Sequence, residues 1–358
     1  MNIKKIISAL LRLFAGILLA LLLLIAGFLT WQTIREFSPG EMVQLPVEGH
    51  AGVVPDTLTI TTYNIGYCGL GAEMDFFYEG GKMARPGREQ LSEYEDGVLK
   101  RLETFSGHDF VLLQEVDTCA RRSWYSNQLK MITDHFSDFE NFFAMNYKAW
   151  VPMPVNNPMG KVRAGLVTLS GHTPASAVRF AFKSGYSWPM SLFMLKRCYL
   201  VTRYNTGFGN ELVLVNTHNS AFSDAAEIRK TELAQLRELM ETEYTNGNFV
   251  LIGGDWNQNP VGFDTARLLP QYLPKLIEPP IPDDFLPEGW KFAYDPLHST
   301  NRNVDIPYTA GKTKTTLIDF FVLSPNIDLL KVETTATGFT EADHQPVTIR
   351  IVLKSNDK

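Results

Sequence analysis

Three things are scarce in this chain of 358 residues. Cysteine occurs only at Cys68, Cys119 and Cys198, and an odd count argues against a complete disulfide framework. Positive charge is in deficit: 33 Lys and Arg face 39 Asp and Glu, for a formal net charge of -6. Lys4, Lys5 and Arg12 fall in the first 31 residues, so the remainder is more acidic still. Such a body does not gather polyanions by bulk electrostatics, and a hold on phosphate has to come from a local basic cleft. Internal repeats and low-complexity breaks are also missing, which excludes a repeat array and points to one domain from about residue 57 onward.

What is present begins with Leu13 to Trp31, almost wholly apolar and close to the roughly 20 residues that a membrane-spanning helix needs. A cleaved signal peptide is the rival reading, but its apolar region is usually shorter and ends at a small-residue site. We read residues 1–31 as an uncleaved transmembrane anchor. Lys4, Lys5 and Arg12 lie ahead of the span and only Arg35 follows closely, so the positive-inside bias predicts a cytoplasmic amino terminus and an extracytoplasmic body. Residues 32–56 carry Pro39, Gly40, Pro46, Gly49, Gly52 and Pro55 with little periodicity, and read as a tether.

The body alternates β-rich runs with helical stretches. Leu58–Ile65, Phe110–Leu113, Leu166–Leu169, Tyr199–Arg203, Leu212–Asn216, Phe249–Ile252, Ile318–Leu323 and Val347–Leu353 read as strands. One helix is clear: Asp224 caps it, Glu227 follows three residues on, Leu233, Leu236 and Met240 share a face, and Asn246-Gly247 ends it.

The most informative segment is LIGGDWNQNP, Leu251 to Pro260. A buried apolar run stops at two glycines, and Asp255 and Asn257 then emerge at i, i+2 spacing, able to face one pocket. By itself this is more often an Asx-turn than a site. Its weight comes from company: Asn64 ends TTYNIGY, Glu115 ends VLLQEVD, His218 follows LVNTHNS, Asp319 lies in TLIDFFVLS, and Asp343 and His344 lie in EADHQPV. A polar group at or near the carboxyl end of each strand is where α/β sheets place their ligands.

The ordered set resembles the endonuclease/exonuclease/phosphatase (DNase I-like) superfamily, as a membrane-anchored member of bacterial type, over Thr57 to about Leu353. GGDWN is similar to the family's GDxN and ADHQPV to its SDHxP, with Ala342 in place of the usual Ser. The resemblance implies a four-layer α/β sandwich, two mixed sheets packed face to face with flanking helices, occupying residues 57–358. It also implies phosphoester hydrolysis with Mg²⁺, or Mn²⁺ as a substitute, at one or two ions. Oxygen ligands suit that cation. Glu115 is then the metal ligand, with Asn64 completing the site and Asp343 approaching from the other side. Asp255 orients or deprotonates water, Asn257 holds water and phosphate, and His218 donates to phosphate. His344 is expected to pair with Asp319 rather than with Asp343, because neighbouring side chains of an extended segment point apart. Whether His344 is base, acid or charged donor stays open.

Substrate contacts are sought in loops. Tyr147, Lys148 and Arg163 fall in the segment that resembles the family's phosphate-approaching stretch, and Arg197, Asn301 and Arg302 are further candidates. The family's Ser-Arg after that strand is here Ser170-Gly171. Cys68 and Cys119 each lie four residues beyond an expected metal-site residue, which makes a bridge between them conceivable; three buried thiols are the alternative. Three function classes follow: a nuclease, the same chemistry on a phospholipid or small phosphoester, and an anchored binding module, disfavoured because every ionisable position is kept. No protein partner is inferable.

Overall fold

Along Phe249–Asp255, Phe249 and Leu251 pack into one apolar cluster and Val250 and Ile252 into another, so both faces of the strand are buried. Period-2 alternation with apolar residues on both sides requires a layer above and a layer below. The computed structural model describes residues 3–221 and 226–354 and supplies both layers.

Two mixed sheets lie face to face. In one of six strands, Thr57–Asn64 runs parallel to Phe110–Asp117 and antiparallel to Val347–Leu353, with Ile327–Thr334 at one edge and Gly160–Ser170 and then Glu140–Val151 at the other. In the eight-stranded sheet, Glu211–His218 runs parallel to Phe249–Asp255, which pairs antiparallel with Asp319–Leu323. Leu58, Ile60, Phe110 and Leu112 from the first sheet meet Leu212, Leu214, Leu251 and Phe321 from the second. Burial of such side chains contributes about 1.5–3 kcal/mol each, and this seam is the main source of cohesion between the sheets. Helix Arg88–Glu103 covers the outer face of the first sheet through Leu91, Tyr94, Val98 and Leu102. Helix Ala226–Thr245 covers the second through Leu233, Leu236 and Met240. The architecture is the four-layer α/β sandwich expected. The cap assigned to Asp224 lies outside the described residues.

Residues 32–56 do not form a plain tether. Met42–Leu45 pairs antiparallel with Ser176–Ala181, and Val53–Val54 pairs with Cys198–Thr206. The physical reason is a sheet edge whose unpaired backbone groups accept a short strand, with Leu45 and Val47 packing behind it. The apolar helix is also longer than read, Ile3–Ile34, and its length and apolarity suffice to cross a membrane, a test that a signal sequence also passes.

The strand ends differ from the expectation in one respect. Asp319 opens its strand, and Asp343 and His344 precede theirs. Antiparallel pairing with Phe249–Asp255 and with Thr57–Asn64 reverses those strands, so their starts coincide with their neighbours' carboxyl ends. Asp255 stands opposite both His218 and Asp319.

Gly254 makes that register possible: its φ is +151° and a Cβ there would lie 2.0 Å from the Thr217 carbonyl oxygen of the paired strand. Neither backbone can yield without moving His218 or Asp255. Gly254→Ala is therefore expected to cost about 1–3 kcal/mol or more, read as a lowered thermal midpoint of the full chain in detergent. An unchanged midpoint would contradict this packing.

Candidate active site

The convergence of strand ends gathers the ionisable residues of both sheets. Asn64 Nδ2 donates to Asp255 Oδ2 at 2.9 Å and lies 3.5 Å from Glu115 Oε1, and its Oδ1 accepts from the Gly66 amide. Asp255 Oδ1 accepts from the Asn257 amide at 2.9 Å, and Oδ2 also lies 3.5 Å from His218 Nε2 and 3.7 Å from His344 Nε2. His344 Nδ1 is 2.8 Å from Asp319 Oδ2, whereas its chain neighbour Asp343 is 4.0 Å from Nε2. The Asn301 carboxamide is 3.0 Å from His344 Nε2, carried there by a bridge between the two segments, and a protonated ring donates from Nε2 to the amide oxygen. Asn257 Nδ2 donates to the Asn219 carbonyl.

Backbone strain marks two of these positions. Glu115 has φ +57° and Asn257 φ +52°, conformations costly for side-chain-bearing residues and concentrated at functional sites. For Glu115 the cause is local: Gln114 and Glu115 bulge out of the ladder between Leu113 and Val116. The bulge turns Glu115 toward the cleft, a quarter of its side chain remaining exposed, while Gln114 turns inward and donates to Asn216 of the other sheet at 2.8 Å.

The electrostatics are those of charges held out of water. Burial pushes Asp255 up to about 7; His344 opposes this and Asp319 reinforces it. Burial also raises Asp343 to about 7, with His344 opposing and Glu115 and Glu79 adding to the rise. His344 is raised well above its usual value: burial alone would lower it, and Asp319, Asp343 and Asp255 overcome that. His218 moves the opposite way, lowered by burial and by Arg197, His344 and Arg122, and is neutral near pH 7. One Oδ1 each of Asp319 and Asp343 is buried without a hydrogen-bond partner. Carboxylates crowded and left unsatisfied in this way suit a divalent cation. Donor atoms of Asp255, Asp319 and His344 lie within 4.8 Å of one another, but His344 Nδ1 is already engaged by Asp319. His344 Nε2 lies 3.7 Å from Asp255 Oδ2, and Glu115 and Asp343 add carboxylate oxygens, the ligand type that a hard cation takes.

The expected substrate residues divide. Arg197, which donates to the His218 carbonyl at 3.1 Å, and Asn301 join the site. Arg302 does not: it is fully buried and donates to the carbonyls of Leu70, Gly71, Asn303 and Ile306, a structural clamp. Lys148 points away, its ammonium 5.7 Å from the Phe37 ring. Tyr147 is buried and spends its hydroxyl on the Phe193 carbonyl at 2.9 Å. Arg163 stands opposite Lys148 in the ladder, half-buried, without a side-chain hydrogen bond to the cluster among the described residues. The cysteine bridge is not formed: all three thiols are free. Cys68 is buried in the apolar cluster under helix Arg88–Glu103, and Cys119 instead accepts from Lys161 Nζ. Equal offsets mislead here because Tyr67 and Cys68 turn through positive φ and Glu115 sits in a bulge.

Sequence reasoning missed Arg122. Its guanidinium pairs with Asp117 at 2.9 Å, lies 3.7 Å from Glu115 Oε2 and stacks 3.7 Å above the Tyr67 ring. Two arginines just beyond the Glu115 strand were the available signal.

No protein-family profile and no curated protein matches the chain. Solved structures do. An endonuclease/exonuclease/phosphatase from Beutenbergia cavernae aligns over 84% of this chain and 72% of its own at 15% identity, TM-score 0.55. The human Nocturnin catalytic domain with bound sulfate aligns over 87% and 97% at 14% identity, TM-score 0.51. D. rerio TDP2 complexed with a single-strand DNA product aligns over 83% and 99% at 13%, TM-score 0.50. The chain thus has the DNase I-like fold of the endonuclease/exonuclease/phosphatase superfamily.

Arg122→Ala leaves Asp117 buried without a counter-charge and is expected to cost about 3–5 kcal/mol, measured as a shift in denaturation midpoint. A loss below about 1 kcal/mol would show that the pair is solvated.

Proposed function

We propose that the chain is a metal-dependent phosphoesterase, anchored in a membrane by Ile3–Ile34 with its body outside the cytoplasm. The observation that carries the reading is the meeting of Asp255, His344, Asp319, Glu115 and Asp343 at one cleft from both sheets, with carboxylate oxygens left unsatisfied. Glu115 and Asp343 would hold Mg²⁺ or Mn²⁺, and Asn64 steadies both Glu115 and Asp255. The cation supplies neutralising charge for the phosphate oxygens. Asp255, near neutrality in its proton affinity, orients water and accepts its proton. Asn257 holds that water and the phosphate in place. His344, kept cationic by Asp319, stabilises charge that develops on the phosphate. Neutral His218, Arg197 and Asn301 line the phosphate side.

The fold likeness to TDP2, whose structure contains a single-strand DNA product, favours a nucleic-acid substrate. The net charge of -6 and the burial of Arg302 oppose it, and the apolar helix favours a membrane phospholipid or another small phosphoester. Full-length protein in detergent, with Mg²⁺ or Mn²⁺, assayed on DNA, RNA, sphingomyelin, inositol phosphates and a chromogenic phosphodiester, separates these classes. A chelator should abolish turnover. Asp255→Ala and His344→Ala should each lower kcat/KM by about two orders of magnitude or more with folding intact, and full activity in either would sink the assignment.

The pH profile gives a second check. Asp255 has to lose its proton to act as the base, so activity should rise through about pH 7; His344 is held protonated above its usual range, so activity should fall on the alkaline side as that proton leaves. Asp319 raises the His344 proton affinity, so Asp319→Asn should move the alkaline limb to lower pH. A limb that stays in place in Asp319→Asn, or shifts upward, contradicts the pairing as the cause.

A further inference from the structure

The apolar helix continues past Trp31 without a break to Ile34, and its last turns dock on the body. Phe28 lies 5.7 Å from the Trp150 ring and stacks 6.1 Å from Phe193. Gln32, only 6% exposed, donates to the Trp150 carbonyl at 2.7 Å, and Trp188 Nε1 donates to Thr33 Oγ1 at 3.1 Å. Glu36 pairs with Lys196. All these partners belong to two segments: the end of strand Glu140–Val151 and the loop between residues 183 and 197.

Those segments also wall the candidate active site. Glu140–Val151 is antiparallel to Gly160–Ser170, which is antiparallel to Phe110–Asp117, so Val151 exits at the end where Glu115 sits. Tyr147 bonds the Phe193 carbonyl and lies 5.9 Å from the Arg122 guanidinium, itself 3.7 Å from Glu115. Arg197 closes the same loop onto His218. On the loop that follows Val151 and on the loop that carries Phe193, four large apolar side chains stand in water: Met153, Val155, Trp188 and Met190, at 43%, 81%, 58% and 52% exposure. The two loops adjoin, because Leu195 packs on the cluster of Val151 and Met159.

We propose that Met153, Val155, Trp188 and Met190 form a membrane-seating surface that turns the mouth of the active site toward the leaflet from which the helix emerges. The occupant is the lipid bilayer. Three observations argue for it over a protein partner. The apolar stretch ends at Trp31, and Trp188 is bonded two residues further on, at the depth where indoles with one polar contact are favoured. Trp188, one of the four, is bonded directly to the helix that enters the membrane. Glu36, Lys196 and the buried Gln32 hold helix and body together, so the orientation is set by contacts rather than by a free linker. A phosphoester in that leaflet reaches the cleft without leaving the surface, which makes a membrane phospholipid the substrate class this geometry serves. The inference rests on the anchor reading of Ile3–Ile34.

The test uses the full chain in phosphatidylcholine vesicles, in a Cys119→Ser background, since Cys68 and Cys198 are fully buried. An environment-sensitive fluorophore is placed singly at Val155→Cys, Met190→Cys, Leu21→Cys and Leu330→Cys. Leu330, 55% exposed, lies on the strand at the opposite edge of its sheet from Glu140–Val151. Lipids spin-labelled near the headgroup should quench the labels at 155 and 190 about twofold or more beyond the label at 330, as expected for side chains in the headgroup region. Lipids spin-labelled deep in the chains should quench the label at 21. Quenching at 21 without quenching at 155 and 190 overturns the seating surface and leaves the anchor standing. Blue-shifted emission at 155 and 190 that lipids do not quench means a protein or second copy covers the patch, and also overturns it. No quenching at 21 removes the anchor reading and the proposal with it.

Discussion

The hydrogen bond from Asn64 to Asp255 joins the two sheets at the point on which the rest of the site depends. It is buried, it links the end of one parallel pair to the end of the other, and it satisfies a carboxylate that burial has made costly to ionise. Just beneath it, Gln114 and Asn216 make a second polar link between the sheets, and Asn216 donates further to the carbonyls of Leu113 and Val167. Apolar packing brings the sheets together, and these amides fix where along the strands they meet. A slip of one residue would turn Asp255 and Asn64 to the opposite faces of their sheets.

From that constraint the electrostatics follow. Asp255, Asp319 and Asp343 crowd around one imidazolium in a space with little water. His344 lowers the proton affinity of both Asp255 and Asp343 while they raise its own, and Asp319 is placed to hold the ring. His218, on the other side of Asp255, is neutral chiefly because it is buried, and Arg197, His344 and Arg122 add to this as like charges. Two histidines within 4 Å of one carboxylate oxygen thus carry different charge, which gives the site one cationic and one neutral donor.

Much of this was legible in sequence, and the legible part has a common cause. The eight strands read from the chain are all present, because those buried on both faces, such as Phe249–Asp255, show as continuous apolar runs and those with one wetter face, such as Val347–Leu353, show as apolar alternation. The short edge strand Met42–Leu45 and its neighbour Ser176–Ala181 were missed, since a half-covered strand carries mixed residues and no run. Helix Arg88–Glu103 was missed for a related reason: its buried side chains are four, spread over a strongly charged segment. In the site, residues that follow an apolar run were found by that position, and Arg122, which reaches Glu115 from a loop, was not.

The amino-acid sequence by itself determined the buried strands, the apolar helix and the set of acids, amides and histidines at the strand ends, because period and residue type are local properties that burial imposes on each segment separately. Tertiary structure alone decided which of those groups meet. Antiparallel pairing brought Asp319 and His344 to the end where Asp255 sits, and a bulge aimed Glu115 into the cleft while separating Cys119 from Cys68. It also decided that Arg302 is a buried clamp, and that the apolar helix seats on the wall of the site. Such outcomes depend on strand direction, register and backbone sign, which long-range pairing settles and no single segment records.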